Sequence, residues 1–285
     1  MSDSENIIAF MGVEGANADL ACRKCYPYMQ TMALSSFEDV FEVVEQGRAR
    51  YGLLPIENSQ AGRVAEMHNL LPKSTIHIVA EHIEPVEHHL FASKGANLES
   101  IKDVYSHHQA LMQCREFLRT HNMQSHIYSN TATAAKDVAS WNDASKGAIC
   151  SALAGEIYQL ERVAEGINDA KDNATLFVTI AREPQEIDEE SAMLLTSVLF
   201  TLRNMPSALY KSLGGFATNN INIIKLESYI RGGGNLAPSA QFFMTFEGNP
   251  SERRVQLALE ELGFFTQKVR VLGVYHADNA RTASA

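Results

Sequence analysis

The stretch Tyr51-Gly-Leu-Leu-Pro-Ile-Glu-Asn-Ser59 is an apolar run that stops abruptly at three polar residues. Its length suits a buried strand over Tyr51–Ile56, and Glu57-Asn58-Ser59 marks the strand's end. Toward the N-terminus, Ile7–Phe10 is a similar short run that closes on Gly12-Val-Glu-Gly15. A helical pattern opens near Ala16, with Leu20, Ala21 and Cys25 on its apolar side. Met32–Leu34 reads as a second strand. Ser36 is a good N-cap with Asp39 three residues on, and Phe37, Val40, Phe41 and Val44 then recur at helical spacing. Strands alternating with helices predict an α/β fold built on a parallel sheet.

The same alternation resumes downstream. Val104–Tyr105 ends a strand, and His107 to Leu118 reads as one helix with Ala110, Leu111, Cys114, Phe117 and Leu118 on a face. His126–Tyr128 is a strand, Thr131 to Ala139 a helix, Ala148–Cys150 a strand, Ser151 to Tyr158 a helix and Leu176–Ala181 a strand. Two α/β lobes follow, with Ile76 to Ala92 crossing between them and the strand after Asn173 returning. Arg182 to Ser191 is acidic, contains Pro184 and reads as a linker. Beyond it the order changes to βαββαβ: a strand at Thr196–Leu202, a helix opened by Pro206, strands at Ile221–Tyr229 and Ala240–Phe246, a helix after Pro250-Ser251 and a strand at Val269–Val274. That order predicts a ferredoxin-like sandwich, with Gly232–Gly234 as a hairpin turn.

Bulk properties narrow the function. The 285 residues suit two domains, and 45% hydrophobic with 20% charged residues is ordinary for a globular protein. A net charge of −10 without a Lys/Arg run argues against a nucleic-acid partner. No apolar run approaches the ~20 residues of a membrane span, and no secretory signal is evident, so a cytoplasmic location is expected. Of the four cysteines, Cys22 and Cys25 form a C-x-x-C inside the first helix, with no second pair to complete a zinc site; reduced packed thiols are expected. The adjacent pairs His88-His89 and His107-His108 lack metal-ligand spacing and read as surface or cap residues.

Small polar residues recur where strands meet helices: Gly12–Gly15, Glu57-Asn58-Ser59, Ser106-His107, Asn130-Thr131 and Cys150-Ser151. Each alone is an ordinary cap. Several in one two-lobed domain predict a cleft for a small anion at the strand ends. The residues by themselves leave the reaction open.

The chain also resembles the prephenate dehydratase family across nearly its whole length. The blocks that carry the likeness are Phe10-Met-Gly12 to Gly15-Ala-Asn17; Gly52-Leu-Leu-Pro-Ile-Glu-Asn-Ser59 with Gly62; Ser106-His-His-Gln-Ala-Leu111 with Gln113-Cys114; Asn130-Thr-Ala132 with Ala134-Ala135; and Ala148-Ile-Cys-Ser151 through Asn168-Asp169 and Asn173 into Thr175-Leu-Phe177. Pro206-Ser-Ala-Leu-Tyr-Lys211 and Glu227-Ser228 are similar to the amino-acid-sensing ACT domain these enzymes carry. The resemblance implies a two-lobed, periplasmic-binding-protein-like (type II) catalytic domain over 6–183, with lobe one about 6–79 plus 175–183 and lobe two about 80–174. It further implies a linker at 184–193 and an ACT domain at 194–277.

By the same resemblance the activity is decarboxylating dehydration of prephenate to phenylpyruvate in L-phenylalanine biosynthesis, without cofactor or metal. Phenylalanine would regulate it, in a homodimer or homotetramer joined through the ACT domain. Thr175, Glu57 and His107 would be catalytic. Asn58, Ser59, Ser106, Asn130, Thr131 and Phe177 would bind substrate. Asn204, Ser207, Ala208, Leu209, Asn222, Glu227 and Ser228 would bind the effector. One departure stands out: the family has Arg after the threonine, and this chain has Leu176, which cannot bind a carboxylate. Either another cation such as Arg23, Lys24 or Arg63 compensates, or the protein is a catalytically weak ligand-sensing homologue, or the substrate differs, arogenate being the alternative.

Overall fold

The computed structural model describes residues 3–187, 193–230 and 240–282. The expected turn at Gly232–Gly234 and residues 188–192 of the expected linker lie outside the described residues. The elements run β1 (Ile7–Met11), α1 (Asn17–Cys25), β2 (Gln30–Leu34), α2 (Phe37–Glu45), β3 (Tyr51–Asn58), β4 (Gly62–Arg63), α3 (Ala65–Leu70), β5 (His77–Pro85) and β6 (His89–Ala92). They continue with β7 (Asp103–His107), α4 (His108–Gln113), α5 (Arg115–Thr120), β8 (Gln124–Tyr128), α6 (Thr131–Trp141), β9 (Lys146–Cys150), α7 (Ala152–Ile157), β10 (Glu161–Ala164) and β11 (Ala174–Ala181). The remainder is β12 (Leu194–Leu202), α8 (Ala208–Thr218), β13 (Ile223–Ile230), β14 (Ala240–Glu247), α9 (Arg253–Phe265), β15 (Thr266–His276) and α10 (Asn279–Thr282). No helix among the described residues is long and apolar enough to cross a membrane.

The chain divides into two compact units, 1–64 with 83–177 and 65–82 with 178–285. The division falls inside β5 and β11, so the second unit takes in α3 and the first part of β5 besides the C-terminal elements. Periodicity marks where such elements begin and end, but it does not say against which neighbours they pack.

Unit one carries the two α/β lobes. One sheet has the order β2-β1-β3-β11-β5, with β4 paired to β3; β1 lies parallel to both β2 and β3. Phe10, Leu53 and Phe177 meet Ala21 and Cys22 of α1 in one core cluster. Ser36 caps α2 by accepting from Asp39 N at 3.1 Å. The other sheet has the order β10-β6-β9-β7-β8. Its faces are covered by α4–α5 on one core cluster and by the alanines of α6 and α7 on another. A Cβ on Gly155 of α7 would sit 2.2 Å from the Phe91 ring, so glycine is what lets this helix lie against β6. The single helix expected over His107–Leu118 is two helices that break at Cys114. The break is stabilised from a distance, because the Asp169 carboxylate accepts from Glu116 N at 3.1 and 3.2 Å and caps the second helix.

Unit two contains a four-stranded antiparallel sheet of order β13-β14-β12-β15, with α8 and α9 packed on it in a βαββαβ sequence. Stacked Phe200 and Phe242 and edge-on Phe216 and Phe246 fill its core. A buried polar line crosses the sheet: Ser197 Oγ lies 2.7 Å from both Thr245 Oγ1 and the Tyr275 hydroxyl. Within this unit Arg270 of β15 donates to the carbonyls of Leu71, Ser74 and Ile76, and Arg281 pairs with Glu81.

Candidate active site

Strand ends of both lobes in unit one open on a cavity of about 580 Å³. Met11–Val13 reach it from the end of β1 and Asn58 from the end of β3. Thr175 and Phe177 come from β11, His107 from the end of β7, and Ser129–Thr131 from the β8–α6 junction. Val86 and His88 join them from the β5–β6 turn, and Gln109 and Gln113 from α4. Strand alternation sorts β11: Thr175 and Phe177 face the cavity, while Leu176 between them is not among its lining residues.

At the entrance of β11 the side chains are wired together. Asn58 Oδ1 accepts from the backbone N–H of Gln60 and Ala61, at 3.1 and 2.9 Å. Its Nδ2 donates to Asn173 Oδ1 at 2.9 Å, to Thr175 Oγ1 at 3.0 Å and to the Ala174 carbonyl at 3.1 Å. Asn173 Nδ2 in turn donates to Gln113 Oε1 at 3.0 Å, and His88 Nε2 lies 2.8 Å from the same oxygen. Thr175 Oγ1 therefore accepts one proton from the protein and keeps its own to offer to a ligand.

His107 caps α4, its Nδ1 accepting from Gln109 N at 3.3 Å, which leaves Nε2 as the proton-bearing nitrogen of the neutral ring. Asn130 Oδ1 caps α6 through Thr133 N at 2.7 Å, so its amide group is what remains for the cavity. Ser59, Ser106 and Glu57 lie outside the lining. Ser59 Oγ donates to the Asp172 carbonyl and accepts from Ala174 N. The fully buried Ser106 donates to the Ile149 carbonyl at 2.6 Å, and Glu57 stands opposite Arg63 in the β3–β4 pair.

The electrostatics of the cavity are one-sided. Among the described residues that line it, Arg63 is the one lysine or arginine, and none is an aspartate or glutamate. The other two cations considered as replacements for a motif arginine do not line it: Arg23 pairs with Asp19 and Glu14, and Lys24 with Glu84. Burial pushes the Cys114 and Cys150 thiols up to about 12, and the four cysteines are free thiols. A nucleophilic thiolate is thus disfavoured there.

Sequence reasoning missed His88. It placed the His88-His89 pair at the surface or in a cap, yet the two are 3% and 4% exposed. Burial lowers the pKa of both rings. The apolar spacing Val86-x-His88-x-Leu90 was the available signal, since it sets His88 on one side of an extended segment with two buried residues.

The expected effector residues belong to unit two. Ser207 adopts a left-handed conformation, φ 58°, just before α8, and Asn204 and Ser207 are exposed. Ala208 and Leu209 start α8 on the core. Asn222 donates to Glu247 at 2.8 Å, and Glu227 pairs with Lys225 at 2.6 Å.

A family model described as prephenate dehydratase matches residues 8–185. Among curated proteins, a bifunctional N-acyl-homoserine lactone acylase/prephenate dehydratase of Komagataeibacter europaeus is 38% identical, over 98% of this chain and 99% of its own length. Arogenate dehydratase/prephenate dehydratase 1 of Arabidopsis thaliana, chloroplastic, is 37% identical over 98% of this chain and 74% of its own. Among solved structures, GqqA, described as a novel type of quorum quenching acylase, superposes with a TM-score of 0.90 at 38% identity, covering 96% of this chain and 99% of that one. A prephenate dehydratase from Arthrobacter aurescens, in complex with L-Phe, gives 0.85 at 27% identity over 95% and 90%.

Proposed function

The chain belongs to the prephenate dehydratase family, and from that premise we propose that the unit-one cavity converts prephenate to phenylpyruvate. The observation that carries this reading is the Thr175 hydroxyl, whose oxygen accepts from Asn58 and whose proton is left for the cavity. As the ring carboxylate leaves as CO2, its bonding electrons move through the ring and expel the C4 hydroxyl. The ring becomes aromatic, and the departing oxygen takes one proton to form water. Thr175 donates a hydrogen bond to that oxygen as charge develops on it; preorganised donors of this kind contribute about 3–4 kcal/mol. A threonine hydroxyl is too weak an acid to surrender its proton near neutral pH, and so is the Nε2–H of a neutral imidazole; His107 on the cavity wall can deliver the proton only as imidazolium, a form in which Nδ1 no longer accepts from Gln109 N. Arg63, the Asn130 amide and Thr131 hold the carboxylates.

Leu176 lies outside the cavity lining, so its lack of charge is no argument against turnover, and Arg63 supplies the cation. Among the described residues that line the cavity no side chain is acidic, which favours a keto acid over arogenate, whose ammonium group would seek a carboxylate. The acylase activity named for the Komagataeibacter relative needs a nucleophile activated by a base. Among the described lining residues, no hydroxyl or thiol is hydrogen-bonded to a histidine, which favours the dehydratase.

The βαββαβ sandwich of unit two is an ACT-type sensor in this reading, and phenylalanine is its effector, supported by the L-Phe complex of the Arthrobacter relative. Pairing of sandwiches into a homodimer or homotetramer belongs to the same proposal. The test is incubation with prephenate, reading phenylpyruvate absorbance in alkali. Turnover that persists undiminished in Thr175→Val removes Thr175 from the mechanism.

A further inference from the structure

The hydrogen-bond chain at the cavity has a direction, and it can be followed without choosing any amide orientation freely. The backbone N–H groups of Gln60 and Ala61 can only donate, so the Asn58 atom they meet is the oxygen. The Ala174 carbonyl can only accept, so the other end of the Asn58 amide is the nitrogen. An amide nitrogen donates and does not accept, which turns the Asn173 oxygen toward Asn58 and the Asn173 nitrogen toward Gln113. The Gln113 oxygen then faces Asn173. His88 Nε2 lies 2.8 Å from that same oxygen, so Nε2 must carry a proton. With both lone-pair directions of Oε1 occupied, the group Gln113 has left for the cavity is its NH2.

Resting on the dehydratase reading, we propose that His88 is a positioning residue for the reaction: its Nε2–H closes the amide chain and holds Gln113 so that the Gln113 NH2 donates to the substrate. Asn58 is already fixed by backbone groups, and it holds the Thr175 hydroxyl oxygen and Asn173 Oδ1 in turn. Gln113 is the member farthest along the chain from those backbone anchors, its side-chain oxygen held between Asn173 and His88. The mount of His88 is rigid. Its N–H donates to Asn168 Oδ1 at 2.7 Å, its carbonyl accepts from Ile167 N at 2.9 Å, and Asn168 Nδ2 grips the Val86 carbonyl at 3.0 Å. Burial that disfavours imidazolium at this position agrees with a neutral ring carrying its single proton on Nε2.

The test compares His88→Leu, which has no donor, with His88→Gln, whose side-chain amide can still donate, alongside nitrogen NMR of the histidine rings in the full-length wild type. The His88 signal is assigned by its disappearance in His88→Gln. The expected results are a neutral Nε2–H tautomer near neutral pH, kcat within about threefold of wild type in His88→Gln, and kcat lowered by at least about tenfold in His88→Leu. A ring protonated on Nδ1 alone overturns the proposal. So does equal loss in the two variants, which would mean that His88 only fills space. If the wild type itself has no turnover, the dehydratase reading fails, while the tautomer still decides whether the chain is wired as described.

Discussion

Single residues decide whether the cavity works. Thr175 offers its proton because Asn58 occupies its acceptor side; Thr175→Ser should keep measurable turnover, and Thr175→Val should lower kcat about 10²–10³-fold. Leu176→Arg is predicted to change kcat/KM by less than about threefold, because an arginine there projects from the side of β11 opposite Thr175 and Phe177. A large gain in the steady-state assay would show that position 176 reaches the substrate. His88 and His89 have folded-state pKa values below the ordinary 6.5, chiefly through burial. With a depressed folded pKa, their contribution to stability is full above the unfolded value and is lost as pH falls from there through the folded value. Denaturant unfolding should therefore show a smaller stability difference between about pH 7.5 and about pH 5.5 in His88→Gln than in wild type. An unchanged difference would mean that His88 does not titrate across that window.

The elements explain what the sequence could and could not disclose. Strands β1, β3 and β11 were legible because each is a short apolar run between turn residues, and Ser36, Asn130 and Ser151 announced the helices they cap. The break between α4 and α5 was not legible, because its cap is Asp169, more than fifty residues away. Two-residue β4 and the short β10 carry too few side chains for a period to show. The site divides along the same line. Thr175, Asn58, His107, Asn130 and Thr131 sit at strand ends and helix starts, and Phe177 follows within β11, where motif and local pattern coincide. The closure at His88 depends on β5–β6 meeting α4, which no local pattern encodes. Close approach is equally invisible in a sequence. In unit two a Cβ at Gly273 would stand 1.8 Å from the Ile78 carbonyl oxygen, beside a bulge where β15 shifts register on β12. Gly273→Ala should lower stability by about 2–3 kcal/mol in denaturant unfolding, as overpacking against backbone does. A change below about 0.5 kcal/mol would show that the strands separate freely.

On the scale of the whole molecule, the two compact units divide the proposed labour between chemistry in unit one and sensing in unit two. The contacts of Arg270 and Arg281 bring residues 71–81 into the second unit, so a ligand on the sandwich acts on a body that includes α3 and part of β5. If the sandwich is a phenylalanine sensor, L-phenylalanine should give saturable heat in a calorimetric titration and raise the unfolding temperature by mass action. No heat at millimolar ligand would remove the sensor and leave the dehydratase untouched. The central claim is the reaction itself. Its most direct test is incubation of the full chain with prephenate near neutral pH, following phenylpyruvate in alkali, with Thr175→Val in parallel. The account predicts catalysed formation that saturates with prephenate and collapses in the variant; product at only the uncatalysed rate, or equal rates in the two proteins, would contradict it.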